Sequence, residues 1–148
     1  MRSLLITGGA GFIGANFTRY WADKYPDDKL VVLDALTYAG NKYNLDGLVA
    51  KSRIQFAHGD ICDQALVTSI LINNRIDTIV HFAAESHVDR SIHAPGSFIQ
   101  TNIIGTHALL HAAREVWVGC DNPPKNHLFH HVSTDEVYGE SMINIEEQ

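Results

Sequence analysis

Eight residues near the start constrain this chain more than any others: Thr7-Gly8-Gly9-Ala10-Gly11-Phe12-Ile13-Gly14. They follow the apolar run Ser3-Leu4-Leu5-Ile6-Thr7, which reads as a strand buried in a parallel sheet. They lead into a segment of helical period, from about 11 to 24, that Pro26 ends. A dinucleotide site at such a junction needs a tight turn, close approach of backbone to pyrophosphate, and a helix packed near its strand. Gly8, Gly11 and Gly14 can serve these needs because glycine has no Cβ, and Gly9 is one glycine beyond the pattern. Exposed N–H groups and the positive end of the helix then face the two phosphates. An ordinary strand-to-helix turn is the competing reading of the glycines alone. The agreement of loop, strand and helix favours nucleotide binding.

The rest of the chain continues the alternation of apolar runs and helical periods that marks βαβ units. Lys29 to Asp34 predicts the second strand, 54–58 the third, 77–82 the fourth and 127–133 the fifth. A helix over 63–73 follows the third strand, with Asp63 as its N-cap. The longest helix is predicted over 97–118, where Ile99, Ile103, Thr106, Leu110, Ala113 and Trp117 share one face. Five strands in this alternation predict an α/β, Rossmann-type, doubly wound parallel sheet ordered 3-2-1-4-5. The last ten residues are weakly patterned and read as a loop, so the architecture is expected to be incomplete at the carboxyl end. Residues 1–148 then form a truncated dinucleotide-binding domain without a substrate domain.

Composition narrows the class further. A chain of 148 residues, 45% apolar, fits one soluble globular domain that needs no disulfide or metal staple. Eleven Lys and Arg against 17 Asp and Glu give a net charge of −6, which disfavours nucleic acid or an anionic membrane as main partner. The uncharged stretch from Ser3 to Thr18 resembles a secretory signal, but four glycines interrupt it. No run reaches the roughly 18 apolar residues of a membrane span. Cys62 and Cys120 stand alone, as expected of a reducing, cytoplasmic setting. His130 and His131 point to opposite faces of a strand, and His81, His87 and His93 fall six apart, so no metal site is predicted.

Asp34 ends the second strand, 20 residues beyond Gly14. A carboxylate there can accept both ribose hydroxyls of an adenosine and would repel a 2′-phosphate. Ala35, Leu36 and Thr37 supply no cation for such a phosphate, so NAD is expected over NADP. The alternative is that Asp34 merely starts a turn. Asp60, after the third strand, could accept from an adenine amino group or be a local turn residue.

Ligands of open α/β sheets bind beyond the carboxyl ends of the strands. After the fourth strand, Ala83 and Ala84 are small enough to let a flat cofactor approach, and Ser86 offers a hydroxyl to a substrate. His87, Asp89 and Arg90 fit that site or a solvated, ion-paired loop equally well. After the fifth strand come Thr134, Asp135 and Glu136. Neighbouring carboxyls can separate in pKa, one staying protonated as an acid while the other acts as a base. Acids at a helix start would look the same. Spacing leaves the two readings open.

Taken in order, TGGAGFIG, DALTYAGN, GDI, HFAAESHVDRS, TNIIGT and HVSTDEVYG resemble the amino-terminal half of the dTDP-glucose 4,6-dehydratase family, extended short-chain dehydrogenase/reductases. The resemblance covers essentially the whole chain. The glycine loop is common to the wider family; the Thr-Asp-Glu triplet is sharper, because related epimerases lack the acid pair. The resemblance assigns Phe12, Ile13, Asp34 to Thr37, Asp60, Ile61, Phe82 to Ala84 and Thr101 to NAD, and Ser86 and Thr134 to the sugar nucleotide. It also implies a homodimer paired through the long helix. The family reaction oxidises C4 of the glucose by hydride transfer to NAD, eliminates water across C5 and C6, and returns hydride to C6. Glu136 would remove the C5 proton, Asp135 would protonate the departing hydroxyl, and Thr134 would hydrogen-bond near C4.

The family's oxidation also uses a Tyr-xxx-Lys pair placed after the Thr-Asp-Glu strand. Tyr20/Lys24, Tyr25/Lys29 and Tyr38/Lys42 carry the spacing, but all precede that strand. The expectation is a cofactor-binding part of the enzyme, inactive alone. A non-catalytic NAD-binding or self-associating module and a related UDP-sugar dehydratase or epimerase are the rival readings.

Overall fold

The computed structural model describes residues 1–120, 123–124, 126–134, 137 and 139. Its centre is a five-stranded parallel sheet in the order β3-β2-β1-β4-β5. The strands are β1 (Ser3–Thr7), β2 (Lys29–Asp34), β3 (Gln55–His58), β4 (Thr78–His81) and β5 (Leu128–His131). The expected order and all five strands are present, with β3, β4 and β5 shorter than their apolar runs.

Both faces are covered, which is why the central strands read as continuous apolar runs rather than alternating ones. Leu4, Ile6, Leu30, Val32 and Val80 face α1 (Phe12–Lys24), with Phe17, Trp21 and Phe82 packed beside them. Leu5, Val31, Leu33 and Ile79 face the other way. There they meet Val67, Ile70 and Leu71 of α3 (Gln64–Asn74), and Leu109, Ala112, Ala113, Val116 and Trp117 of the helix Thr106–Val118. Asp63 caps α3 as expected, its side chain accepting from the Leu66 N–H at 2.9 Å.

Several short elements were not legible as periods. A 3-10 turn at Lys42–Leu45 and α2 (Asp46–Ala50) follow β2, and α4 (Val88–His93) and α5 (Pro95–Phe98) follow β4. The long helix departs from expectation in its phase. Ile99–Gly105 is π-helical and leads into α6 (Thr106–Val118). Wider π turns shift Ile99 and Ile103 relative to α6, but they leave the α-helical spacing of Leu110, Ala113 and Trp117 unchanged. The buried face is Gly105, Ala108, Leu109, Ala112, Ala113, Val116 and Trp117. Ile99, Ile103 and Leu110, expected on that same face, are exposed instead.

Candidate functional site

The strands end level with one another. Past the last residues of β1, β3, β4 and β5 the ladder adds one more bond: Gly8 N–H to Leu33 O, Gly59 N–H to Asp34 O, Phe82 N–H to Thr7 O and Val132 N–H to His81 O, at 2.9–3.2 Å. This row is the crest on which the expected site residues gather.

Three glycines of the loop do three different things. Gly8 adopts φ +67°, and a Cβ there would lie 2.6 Å from Ala83 N and 2.7 Å from Ala83 Cα. Gly14 lets α1 press against the strand end; its Cβ would meet the Gly8 carbonyl oxygen and lie 2.8 Å from Gly9 Cα. Gly11 is the N-cap of α1 and makes no side-chain cap, and a Cβ there would find only Gly8 O, at 3.3 Å, and Ala39 O, at 3.9 Å. Gly9, which the spacing argument left over, gives its space to Val32, whose Cγ1 would lie 2.6 Å from a Cβ.

The first turn of α1 carries no acidic residue and no side-chain cap. Its leading N–H groups have no intrahelical partners by geometry, so the positive end of the helix is uncompensated. Phe12 and Ile13 flank it at 83% and 64% exposure, so this end opens to solvent. A diphosphate fits that chemistry.

Asp34 is buried at the end of β2. Its Oδ2 accepts from the Ala10 N–H and its Oδ1 from the Leu36 N–H, both at 2.8 Å. The carboxylate thus ties the glycine loop to the segment Ala35-Leu36-Thr37, in which Leu36 sits at φ 53°. The turn role and the ribose role are compatible, because a carboxylate has about four acceptor positions and two are used. The Ala10 carbonyl is held in turn by Asn41 N–H at 3.0 Å and Asn44 Nδ2 at 2.9 Å.

After β3, Asp60 Oδ1 accepts from the Cys62 N–H at 2.9 Å, the local turn foreseen as one alternative. Ile61 is buried against Gly105, so only its backbone can reach a ligand at the crest. After β4, Phe82 and Ala83 are half-buried and Ala84 and Ser86 exposed. Asn102, in the π-helical segment, clamps this stretch from behind. Its Oδ1 accepts from Glu85 N–H and its Nδ2 donates to Glu85 O, both at 2.8 Å. Thr101 next to it is half-buried. Sequence reasoning missed Asn102, although an amide amid apolar neighbours in TNIIGT was its signal.

His81 was also missed. It closes β4 after Ile79 and Val80 and is fully buried, with Thr7 Oγ1 at 2.7 Å from Nδ1 and Thr106 Oγ1 at 3.0 Å from Nε2. Burial, with His131 adding a smaller repulsive contribution, lowers its pKa from 6.5 to about 4. At the end of β5, Thr134 is exposed. Asp135 and Glu136, expected as the acid pair, lie outside the described residues.

Two of the three Tyr-xxx-Lys spacings lie away from the crest. Tyr20 and Lys24 meet at 2.6 Å, but at the far end of α1, and Tyr25 and Lys29 also lie toward the amino ends of the strands. Lys42 Nζ lies 5.4 Å from the Phe56 ring centroid, on the β3 side. Among the described residues no three His, Cys, Asp or Glu side chains are grouped to hold a metal ion. Among them, too, no helix is long and apolar enough to cross a membrane.

Comparison with known proteins finds relatives along nearly the whole chain. A dTDP-glucose 4,6-dehydratase of Salmonella typhimurium (strain LT2) is 51% identical over 138 residues, which are 93% of this chain and 38% of that protein. The chain thus spans about two fifths of the length of such relatives. The structure of a DesIV double mutant, a dTDP-glucose 4,6-dehydratase from Streptomyces venezuelae solved with NAD bound, superposes with a TM-score of 0.80 at 49% identity, covering 96% of this chain and 42% of that one. A UDP-glucose-4-epimerase from Stenotrophomonas maltophila, also with NAD, gives a TM-score of 0.81 at 26% identity, covering 96% and 40%. The architecture is therefore common to dehydratase and epimerase, while sequence sides with the dehydratases. The family profile described as GDP-mannose 4,6 dehydratase matches residues 5–148, and on that match the chain belongs to this family.

Proposed function

We propose that residues 1–148 are the NAD-binding part of a nucleotide-sugar 4,6-dehydratase that acts on dTDP-glucose. The observation that carries this reading is the uncapped, acid-free first turn of α1, set over a loop in which Gly8 and Gly14 admit no Cβ. In this reading the backbone of Gly8, Gly11, Phe12, Ile13 and Gly14 holds the diphosphate. Asp34 receives the adenosine ribose, with Ala35, Leu36, Thr37, Asp60 and Ile61 around the base. Phe82, Ala83, Ala84 and Thr101 wall the nicotinamide side.

NAD bound there supplies reversible hydride storage. The protein's own residues handle position and protons: Ser86 and Thr134 hold the sugar nucleotide, Thr134 near C4. Glu136 takes the C5 proton and Asp135 gives a proton to the departing C6 hydroxyl, so two adjacent carboxyls work in opposite protonation states. These roles rest on the Thr134-Asp135-Glu136 triplet and on identity to dehydratases. The epimerase alternative is weakened by the same triplet.

The 148-residue chain by itself is expected not to convert dTDP-glucose, because the Tyr-xxx-Lys pair of the family reaction follows the Thr-Asp-Glu strand, whereas Tyr20/Lys24, Tyr25/Lys29 and Tyr38/Lys42 all precede it. Incubation with NAD and dTDP-glucose tests this, and formation of the 4-keto-6-deoxy sugar would contradict it. Binding of NAD is the positive test: calorimetry on wild type and Asp34→Ala should show affinity that the substitution weakens.

A second copy of the chain is the proposed partner. Ile99, Ile103 and Leu110 are 54%, 60% and 48% exposed on the long helix, an apolar stripe of the kind that pairs chains. Sedimentation at several concentrations should show mass rising with concentration; a strict monomer would contradict pairing.

A further inference from the structure

The buried imidazole of His81 has no part in the chemistry above, yet it lies directly beneath the crest. Thr7 and His81 are register partners at the ends of β1 and β4, and both are essentially inaccessible. Three contacts meet around them. Ala83 N–H approaches Thr7 Oγ1 at 3.4 Å, Thr7 Oγ1 approaches His81 Nδ1 at 2.7 Å, and His81 Nε2 approaches Thr106 Oγ1 at 3.0 Å.

Their direction follows from counting protons. An amide N–H can only donate, so Thr7 Oγ1 accepts from Ala83. The single hydroxyl proton of Thr7 then goes to His81 Nδ1, which must be bare. A neutral ring so arranged carries its proton on Nε2 and donates to Thr106. The reverse tautomer would leave the buried Thr7 proton without an acceptor in this set, a costly arrangement.

We propose that His81 is a positioning residue. Through Thr7 it fixes the Ala83 backbone at its closest approach to Gly8, and through Thr106 it ties that contact to the start of α6. The same stretch is held at its other end by Asn102, which belongs to the same helical run. The Phe82–Ala84 shelf is thus set between two anchors on one helix and one strand end. Burial keeps the imidazole neutral, which the relay requires. For its functional consequence the inference rests on the NAD reading above; the relay itself does not.

The test uses the full 148-residue chain, labelled with 15N. Long-range 1H–15N correlation should find His81 protonated on Nε2 and bare on Nδ1; a ring protonated on Nδ1 would overturn the relay. NAD titrations of Thr7→Val and His81→Gln should each show roughly three- to tenfold weaker binding, the size of one neutral hydrogen bond. The double variant should bind no more weakly than the weaker single variant, because both break the same chain of contacts. A purely structural role would lower the melting temperature and leave the affinity of the folded protein unchanged, which would overturn the proposal. Thr7→Val, nearly isosteric, carries the test if His81→Gln does not fold. Failure of wild type to bind NAD would remove the functional reading, while the tautomer measurement would still decide the relay.

Discussion

The two corners of the sheet's crest are built to different degrees. At the β1–β2 corner every strand position from Leu4 to Thr7 and from Leu30 to Asp34 is buried. Helix, loop and carboxylate there lock one another through contacts within the first 45 residues. At the β5 corner Leu128 is 48% exposed and Val132 is also exposed, and β5 pairs with β4 alone among the described residues. The difference teaches where geometry is already fixed. A diphosphate would meet backbone that the core has set in place, whereas a sugar would meet residues on a solvated strand end.

The strongest way to break this contrast is to overfill the first corner. Gly14→Ala forces a Cβ into the Gly8 carbonyl, and it should cost roughly 3 kcal/mol by overpacking and abolish NAD binding. Ser133→Ala, exposed at the other corner, should stay within about 0.5 kcal/mol in the same urea titration. Equal losses would contradict the contrast.

Acid probes the boundary between the corners. The unfolded chain protonates His81 near 6.5, while the native chain resists protonation down to about 4. The unfolded state therefore binds more protons in that window, and stability is lost as pH falls through it, on the order of 3 kcal/mol at most. Among the described residues, the groups facing His81 are Thr7, Thr106, Phe129 and His131, of which only His131 is ionisable. Urea midpoints between pH 7 and pH 4 measure the effect, and His81→Gln should flatten that part of the profile.

Asp34→Ala removes the acceptor for two backbone N–H groups, one buried and one half-buried. It should cost about 2 kcal/mol and weaken NAD at least about tenfold. The smallest stability change is expected at Leu110→Glu, within about 0.5 kcal/mol because the side chain is half in solvent. The same variant should abolish concentration-dependent association in sedimentation.

Local signals carried much of the fold into the sequence. β1 and β2 were legible to the residue because double-sided burial writes itself as an unbroken apolar run, and Asp63 was legible because a cap acts within its own turn. The phase of the long helix was not. Its π-helical turns carry Asn102, whose bonds to Glu85 are a tertiary contact with no local period. His81 hid for a related reason: a histidine ending a strand shows its partners only when β1 and α6 are packed beside it. Glycine spacing located the loop, but Gly9 made sense only with Val32 beneath it. Asp135 and Glu136 remain sequence features, since they lie outside the described residues.

The central claim is that the loop from Gly8 to Gly14 receives a dinucleotide diphosphate. Following backbone amide resonances of the 15N-labelled chain during NAD addition tests it most directly. The account predicts saturable shifts concentrated at Gly9, Gly11, Phe12, Ile13 and Gly14, with smaller ones at Leu36 and Ala83. Resonances that stay fixed there at saturating NAD, or shifts confined to residues of α3 and α6, would contradict it.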